Sequence, residues 1–301
     1  MAEISVCVCT FRRPQMLDAL LTRLAAQQCP PSEIVVVDND PAHSALPVLQ
    51  AWADRLPLRT VHVPQPNIAL ARNAAVAQAR GDWLALIDDD EEPGPDWLAL
   101  LLQTQVATGA DGVMAPVLAR YTEATPAWMR EGGFFERRRF VTGTPVFTED
   151  SRTGNVLLRA AMVRSLPGPF DPAFGRSGGE DTLFFSLLHR AAYRFVWCDE
   201  ATVSEEVPAD RARSGWILRR AYRGAQTFVR VELYPLAGAQ RAWRATALGA
   251  RALAQLGASL LLALAVWPRS RVRAFFWLRT ACAQCGKLSA LAGARYLEYR
   301  A

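Results

Sequence analysis

An α/β fold, with a parallel sheet covered by helices, is what this sequence predicts, and three observations carry the expectation. Short apolar runs alternate with stretches of helical periodicity through the first 90 residues. The polar clusters Thr10-Phe11, Asp38-Asn39 and Asp88-Asp89-Asp90 each follow such a run instead of interrupting it. They therefore fall on the rim where an open α/β sheet presents its strand ends to a ligand. Finally, 51% hydrophobic and 21% charged residues over 301 positions let the chain bury a sizeable core and exclude a disordered one. The length fits one large domain or two ordinary ones.

Taken in order, residues 4–9 read as the first strand. Pro14 suits a first helical turn, where a missing N–H is no loss, and Met16, Leu17, Leu20, Leu21 and Leu24 follow at helical spacing. Residues 34–37, one isoleucine and three valines, form a β-branched strand buried on both faces and end in the turn cluster Asp38-Asn39-Asp40-Pro41. A helix over 46–56 leads to a strand over 58–63. The alanine-rich stretch 68–79 is helical, Gly81-Asp82 breaks it, and 83–87 is the next buried strand.

Three carboxylates at a strand exit repel one another unless a cation joins them. The plain reading of Asp88-Asp89-Asp90 is a loop of solvated acids or an Asx turn. The functional one is a divalent metal holding a diphosphate, because hard cations take oxygen ligands and bridge carboxylates to phosphates. Three polar clusters on one rim favour the second. No Gly-x-Gly-x-x-Gly follows the first strand and no Gly-Lys-Ser/Thr occurs. Phosphates must then be held by a metal and by arginines, which Arg12, Arg13 and Arg72 are placed to supply.

Thr10-Phe11-Arg12-Arg13-Pro14, the strand end Val35-Val36-Val37-Asp38-Asn39, Asn67-Ile-Ala-Leu-Ala-Arg72-Asn73, Asp88-Asp89-Asp90 and Gly179-Glu180-Asp181 fall in the order and spacing of family-2 glycosyltransferases. The chain resembles the bacterial exopolysaccharide branch of that family over roughly its first 230 residues. The resemblance implies a GT-A fold, one mixed and mainly parallel sheet, a nucleotide-sugar donor and inversion at the anomeric carbon. It implies that Thr10, Phe11 and Arg13 contact the donor nucleotide, that Asp38 recognises the base and that Arg72 approaches the nucleotide or diphosphate. Asp88 would face the ribose or the metal, and Asp90 would be a ligand of Mg²⁺ or Mn²⁺. Asp181 would be the catalytic base, with Glu180 beside it on the acceptor side. Arg12 stands where the family often has asparagine. The later histidine of many GT-A enzymes is absent from its region, which here reads Ser204-Glu205-Glu206, and His43, His62 and His189 do not replace it.

The chemistry asks for these residue types independently. A sugar hydroxyl is a poor nucleophile, so a carboxylate must take its proton as the bond forms. The departing nucleoside diphosphate gathers charge that a divalent ion stabilises. Asp181 suits the first role if Gly178-Gly179 let the backbone turn sharply; as a plain helix-start acid it and Glu180 would complement the dipole of the helical run 183–189. The segment 121–150, rich in aromatic residues and arginine, has the length of a lid or binding loop and is assigned to acceptor recognition, with a surface excursion as the plain alternative. Trp216, Arg219, Arg220 and Arg223 sit at helical offsets that could close the acceptor side or begin a membrane-facing surface. No Gln-x-x-Arg-Trp occurs, so transfer of single sugars is expected.

Charge divides the chain. From residue 211 onward there are 16 basic residues and two acids, a net of +14, so with +5 overall the first 210 residues carry −9. The basic part is also apolar: 252–267 carries no charge, and Phe275-Phe276-Trp277 follows. A nucleic-acid surface is one reading of such a region. The uncharged leucine-rich run favours lipid instead, so a membrane surface and no nucleic acid is the expectation. A buried helical hairpin is the remaining alternative. Residues 1–232 are expected to form the catalytic domain and 233–301 a helical membrane-associating region at the cytoplasmic face of the inner membrane. There a glycan or lipid-linked acceptor would be met. No signal-type stretch opens the sequence, and the lone pair Cys282 and Cys285 has neither a second pair nor a histidine cluster to make a metal site. A nucleotidyltransferase making an activated sugar would need a glycine-rich loop after the first strand, which Cys9-Thr10-Phe11-Arg12-Arg13 lacks. A non-catalytic membrane-associated binding module is the third possibility.

Overall fold

The computed structural model describes residues 2–296. Strand β1 (Ile4–Thr10) leads through α1 (Pro14–Ala25) to β2 (Glu33–Asp38), and α2 (Leu46–Trp52) to β3 (Leu58–His62). Helix α3 (Ile68–Gln78) then precedes β4 (Trp83–Asp88), β5 (Glu91–Pro93) and α4 (Trp97–Thr108). Strands β6 (Gly112–Met114) and β7 (Val117–Arg120) and the short helix α5 (Ala127–Glu131) follow. Next come β8 (Val156–Arg159), α6 (Ala160–Arg164), α7 (Glu180–Arg190), β9 (Phe195–Trp197) and β10 (Val203–Glu206). The chain ends in α8 (Ser214–Leu233), α9 (Gly238–Val266) and α10 (Arg271–Leu291).

The main sheet has the order β3-β2-β1-β4-β8-β6-β9. Its first four strands are parallel, as the alternating pattern predicts. Strand β8 enters antiparallel between β4 and β6, and β9 pairs parallel with β6, so the sheet is mixed and mainly parallel. A second, three-stranded sheet, β5-β10-β7, stands beside it. The α2 helix stops at Trp52 rather than Leu56, because Arg55 and Leu56 donate back to the Trp52 carbonyl and close a turn.

Strand alternation divides the core between two faces. Ile4, Val6, Val8, Ile34 and Val36 point to one side, where Leu17, Leu20, Leu21 and Leu24 of α1 and Trp97, Leu98 and Leu101 of α4 cover them. Cys7, Val35, Val37 and Leu84 point to the other, against the small face of α3 (Ala69, Ala71, Ala75) and against Phe184, Phe185 and Leu188 of α7. The alanines explain why α3 can lie close to the sheet.

The carboxy-terminal helices are not a free tail. Helix α8 ends where the boundary at 232 is expected, but α10 packs back along α8 and α9. Phe275, expected to meet lipid, packs edge-on against Trp128 and Phe134 at centroid distances of 4.8 and 5.1 Å. The segment 121–150 is therefore committed in part to the interior. Phe135 stacks on Trp216 at 5.7 Å, and Arg137 is what reaches the polar rim.

Asn155 holds the point at which the antiparallel strand enters. It is fully buried with φ of 56°, in the left-handed region that asparagine tolerates better than most residues. Its side-chain amide donates to the Pro116 and Ala201 carbonyls, both at 2.8 Å, and its oxygen accepts from Trp97 Nε1 at 2.7 Å. Asn155→Ala removes all three bonds and strands their partners in the core. We expect a loss of ~3–5 kcal/mol by urea denaturation; a loss under ~1 kcal/mol would show that these bonds do not fix the strand.

Candidate active site

The three polar strand ends do converge, on a cavity of about 290 Å³ above β1, β2 and β4. Thr10, Phe11, Arg13, Arg72, Asp88, Asp89, Asp90, Glu180 and Trp216 all line it. The acids are organised by cations and by the backbone. Thr10 Oγ1 donates to Asp89 Oδ2 at 2.8 Å. Arg13 Nη1 reaches Asp89 Oδ1 at 3.1 Å and Asp90 Oδ2 at 2.8 Å. Arg72 Nη2 donates to Asp88 Oδ1 at 3.2 Å while its Nη1 is paired with Glu180 Oε1. Burial works against the Arg72 charge, but Glu180 and then Asp88 outweigh it and hold the guanidinium firmly protonated. Arg12 instead turns to Asp40 at 3.0 Å, with φ of 57°.

Asp89 is the buried member of the triplet. Desolvation pushes its carboxyl up to about 6, Arg13 and the Thr10 hydroxyl opposing and Asp90 adding to the rise. Its place is structural, joining β1 to the acidic loop. Asp88, its side chain 44% exposed, and the half-buried Asp90 are the other members at the cavity. Among the described residues no group of three or more His, Cys, Asp or Glu forms a metal cage. Two hard carboxylates beside a diphosphate-sized cavity nonetheless fit Mg²⁺ or Mn²⁺ bound with donor phosphates and water completing the shell. Glu205, in the region where a third ligand was sought, lines the cavity but is held by Arg211 at 2.8 Å and Arg137 at 3.2 Å.

Two residues have surroundings that their expected roles do not describe. Asp38, assigned to base recognition, is fully buried and absent from the cavity wall. Its oxygens accept from the backbone N–H of Asp40 and Ala45, both at 2.9 Å, so it orders the loop after β2. The neighbouring Asn39 lines the cavity and ties that loop to the start of α3, donating to Val63 and Gln65 carbonyls and accepting from Asn67 N. A buried asparagine next to the strand-end acid was the available signal. The second is Glu180, expected on the acceptor side. It lines the same cavity as Arg72 and Asp88, and its Oε2 is buried without a partner among the described residues. Desolvation raises its carboxyl to about 7, against the pull of Arg72.

Asp181, one residue on, opens into a neighbouring cavity of about 720 Å³ with Ser151, His189, Arg223 and Thr227. Its Oδ1 accepts from the N–H of the next residue, Thr182, at 2.7 Å within the first turn of α7. Gly179, with φ of 99°, makes the turn that sets the two acids apart, and a Cβ there would collide with the Thr227 side chain. Arg223 lines both cavities and so marks their junction. Trp216 closes the donor cavity, with Arg220 and Arg211 over its ring at 5.2 and 5.8 Å.

The sequence and the fold are similar to those of known proteins. Residues 5–163 match the model of the family described as "Glycosyl transferase family 2". The chain is 36% identical to the succinoglycan biosynthesis protein ExoM of Rhizobium meliloti (strain 1021), over 98% of this chain and 95% of that one. It is 24% identical to the glucosyl-dolichyl phosphate glucuronosyltransferase of Haloferax volcanii, over 78% of this chain and 79% of that one. Among solved structures, the mannosyltransferase PcManGT from Pyrobaculum calidifontis in complex with GDP-Man and Mn²⁺ superposes with a TM-score of 0.63 at 21% identity, covering 97% and 86% of the two chains. Residues 1–349 of S. aureus TarS in complex with UDP give 0.55 at 18% identity, covering 99% and 93%. The structural likenesses establish the fold, GT-A.

Arg72 generates a pH-dependent prediction. Without its charge the Glu180 carboxyl rises further above its ordinary range. The folded protein then holds a proton that the unfolded chain has released, so stability falls as pH rises. Arg72→Met is expected to cost ~3–5 kcal/mol at about pH 8 and clearly less at about pH 5.5, where Glu180 is neutral. Urea melts at both values check this; an equal loss would mean that Glu180 is not the group left uncompensated.

Proposed function

The chain belongs to glycosyl transferase family 2, and from that premise we propose that it moves a single sugar, with inversion, from its nucleotide-diphosphate-sugar donor to a hydroxyl of a lipid-linked or polysaccharide acceptor in cell-surface glycan synthesis. The observation that carries this reading is the pair of adjoining cavities with separate carboxylates. One holds the acidic rim and its arginines; the other opens at Asp181. In this reading Thr10, Phe11, Arg13, Arg72 and Asp88 bind the donor, and Asp88 and Asp90 hold the divalent ion. Bound there, Mg²⁺ or Mn²⁺ would neutralise charge on the departing diphosphate. The complex of PcManGT with GDP-Man and Mn²⁺ supports the choice of cofactor. The name of the Haloferax volcanii relative supports an acceptor sugar carried on a lipid phosphate, and that of ExoM an exopolysaccharide product.

Asp181 is the proposed base. Glu180 is held by Arg72 on the wall of the first cavity, turned away from the second. Asp181 faces the second cavity, where an acceptor hydroxyl could approach, and Trp216 would border that approach from the donor side. Asp181→Asn is expected to lower metal-dependent nucleoside diphosphate release from a panel of nucleotide-sugars by ~10²-fold. The thermal shift given by UDP or GDP with Mn²⁺ should persist. Release within a few-fold of the parent would remove Asp181 from the role and make Glu180 the next residue to test.

The carboxy-terminal helices are proposed to hold the enzyme on the cytoplasmic face of the membrane. Helix α9 has 29 residues, is long and apolar enough to cross a membrane, and is mostly not buried. Leu253, Leu260, Leu261 and Leu264 share an exposed stripe. Lying on the membrane is favoured over crossing it. Leu248, near the start of α9, packs with Val229 and Leu233, while Phe275, just beyond its end, packs on Trp128, so both ends return to the catalytic domain. Because α10 covers α8, cutting the tail away would expose core, and point changes are the better test. Leu261→Glu with Leu264→Glu is expected to weaken sedimentation with phosphatidylglycerol vesicles at least ~10-fold. Nucleotide binding should stay intact; unchanged sedimentation would exclude this stripe as the anchor.

A further inference from the structure

Glu91 opens β5 directly after the three aspartates, yet its side chain belongs to the interior, with 2% of the residue exposed. Among the described residues it belongs to no ion pair; the guanidinium groups at the rim go to its neighbours Asp88, Asp89 and Asp90. A buried carboxyl without a cation is costly, so its contacts have to account for its place.

The first contact is with the acidic turn itself. Glu91 Oε2 accepts from the backbone N–H of Asp88 at 3.1 Å. This is the reach-back of a capping box, three residues from acceptor to donor, with no helix following. It closes the turn that carries all three aspartates, and it does so at the residue whose carboxylate meets Arg72 and the cavity. The second contact is with β8. A Cβ at Gly154 would stand 2.5 Å from Glu91 Oε1 and 3.4 Å from Asp88 Oδ2. Gly154 is not among the glycines of positive φ, so its missing side chain answers to space and not to backbone conformation. Neither wall is free to retreat. Gly154 precedes Asn155, whose side chain is tied to Pro116, Ala201 and Trp97, and Glu91 is paired with Glu205 of β10 in the second sheet.

We propose that Glu91 is a positioning residue of the donor site: with Gly154 behind it, it fixes the acidic turn so that the Asp88 and Asp90 carboxylates are placed for the divalent ion. The inference rests on the transferase reading above and adds a residue that is not itself a ligand. Glu91 does not line the cavity, and its Oε2 is engaged with the turn. Mg²⁺ demands near-ideal octahedral geometry, so a small displacement of the turn costs affinity for the ion while leaving the core intact. Residues that orient metal ligands are needed for this reason although they never touch the metal.

The test measures how much Mn²⁺ strengthens the binding of UDP or GDP to the full chain in nonionic detergent, by calorimetry with the ion and with EDTA. Glu91→Met keeps the length of the side chain but cannot accept the Asp88 N–H. It should cut the gain from Mn²⁺ by ~10-fold or more, the usual scale for a residue that orients a metal ligand, and leave the affinity in EDTA unchanged. Glu91→Gln retains an acceptor oxygen and should keep most of the gain. Gly154→Ala leaves Glu91 in the sequence but drives its carboxyl off the turn, and should lose the gain as Glu91→Met does; it also serves if methionine prevents folding. Urea melts run alongside. Variants that lose stability but respond to Mn²⁺ as the parent does would overturn the proposal, making Glu91 a part of the fold alone. Equal loss in Glu91→Gln and Glu91→Met would overturn it too, by assigning the effect to charge instead of to the hydrogen bond. So would a parent that binds nucleotide equally with Mn²⁺ and with EDTA. Each of these refutes this inference and leaves the donor site standing; a parent that binds neither nucleotide refutes the transferase reading itself.

Discussion

Arg72 sits between two carboxylates that the chain contributes from distant places, Asp88 at the end of β4 and Glu180 at the start of α7. Much else depends on this contact. The rim gathers Asp88, Asp89, Asp90 and Glu180 around one cavity, and without a fixed cation their repulsion would open it. Arg72 is delivered by α3, whose start is capped by the Asn67 side chain and whose alanine face lets it lie against the sheet. Asn39 fastens that capping loop to the end of β2. The ion pair is thus a strut between the parallel strands and α7. Its energetic cost is that of burying charge, and the Glu180 carboxyl, raised to about 7, records it.

The strut also explains the division of labour between neighbouring acids. Successive residues of a helix point about 100° apart, so Glu180 and Asp181 cannot share one wall. With Glu180 drawn to Arg72, Asp181 is turned to the second cavity, and Gly179 permits the entry angle. The proposed base is kept apart from the arginines that would hold a diphosphate, which leaves it free to accept a proton.

The parallel half of the fold could be read from sequence because its strands are long enough to show buried runs and each ends in a polar cluster. The mixed half could not. Strands β6 and β9 have three residues each, too short for any periodicity, and the antiparallel entry of β8 depends on Asn155 bonding to groups distant in sequence. At the site, the motifs gave the membership of the cavity well: Thr10, Phe11, Arg13, Arg72, Asp88 and Asp90 all line it. Orientation was beyond them. Whether Asp38 or Asn39 faces the ligand depends on which oxygens the following loop claims, and Glu180 against Asp181 depends on one helical step. Phe275 was misread for a related reason, since an aromatic residue in a basic tail looks the same whether it meets lipid or Trp128.

The segregation of charge, −9 over the first 210 residues and +14 beyond, gains a physical sense from the structure. The two regions do not simply face different partners; they meet at the donor cavity. Arg211, Arg220 and Arg223 of the basic part line it together with Asp88, Asp89 and Asp90 of the acidic part and with Trp216, and Arg211 comes within 3.7 Å of Asp90. An acidic rim alone would repel a nucleoside diphosphate, and a basic wall alone would hold any polyanion without orienting it. Gathered around one cavity, they offer a place where carboxylates can share a divalent ion with phosphate while guanidinium groups neutralise the remaining charge. Arg219 and Arg220 follow on α8, so positive charge continues beyond the cavity along that helix.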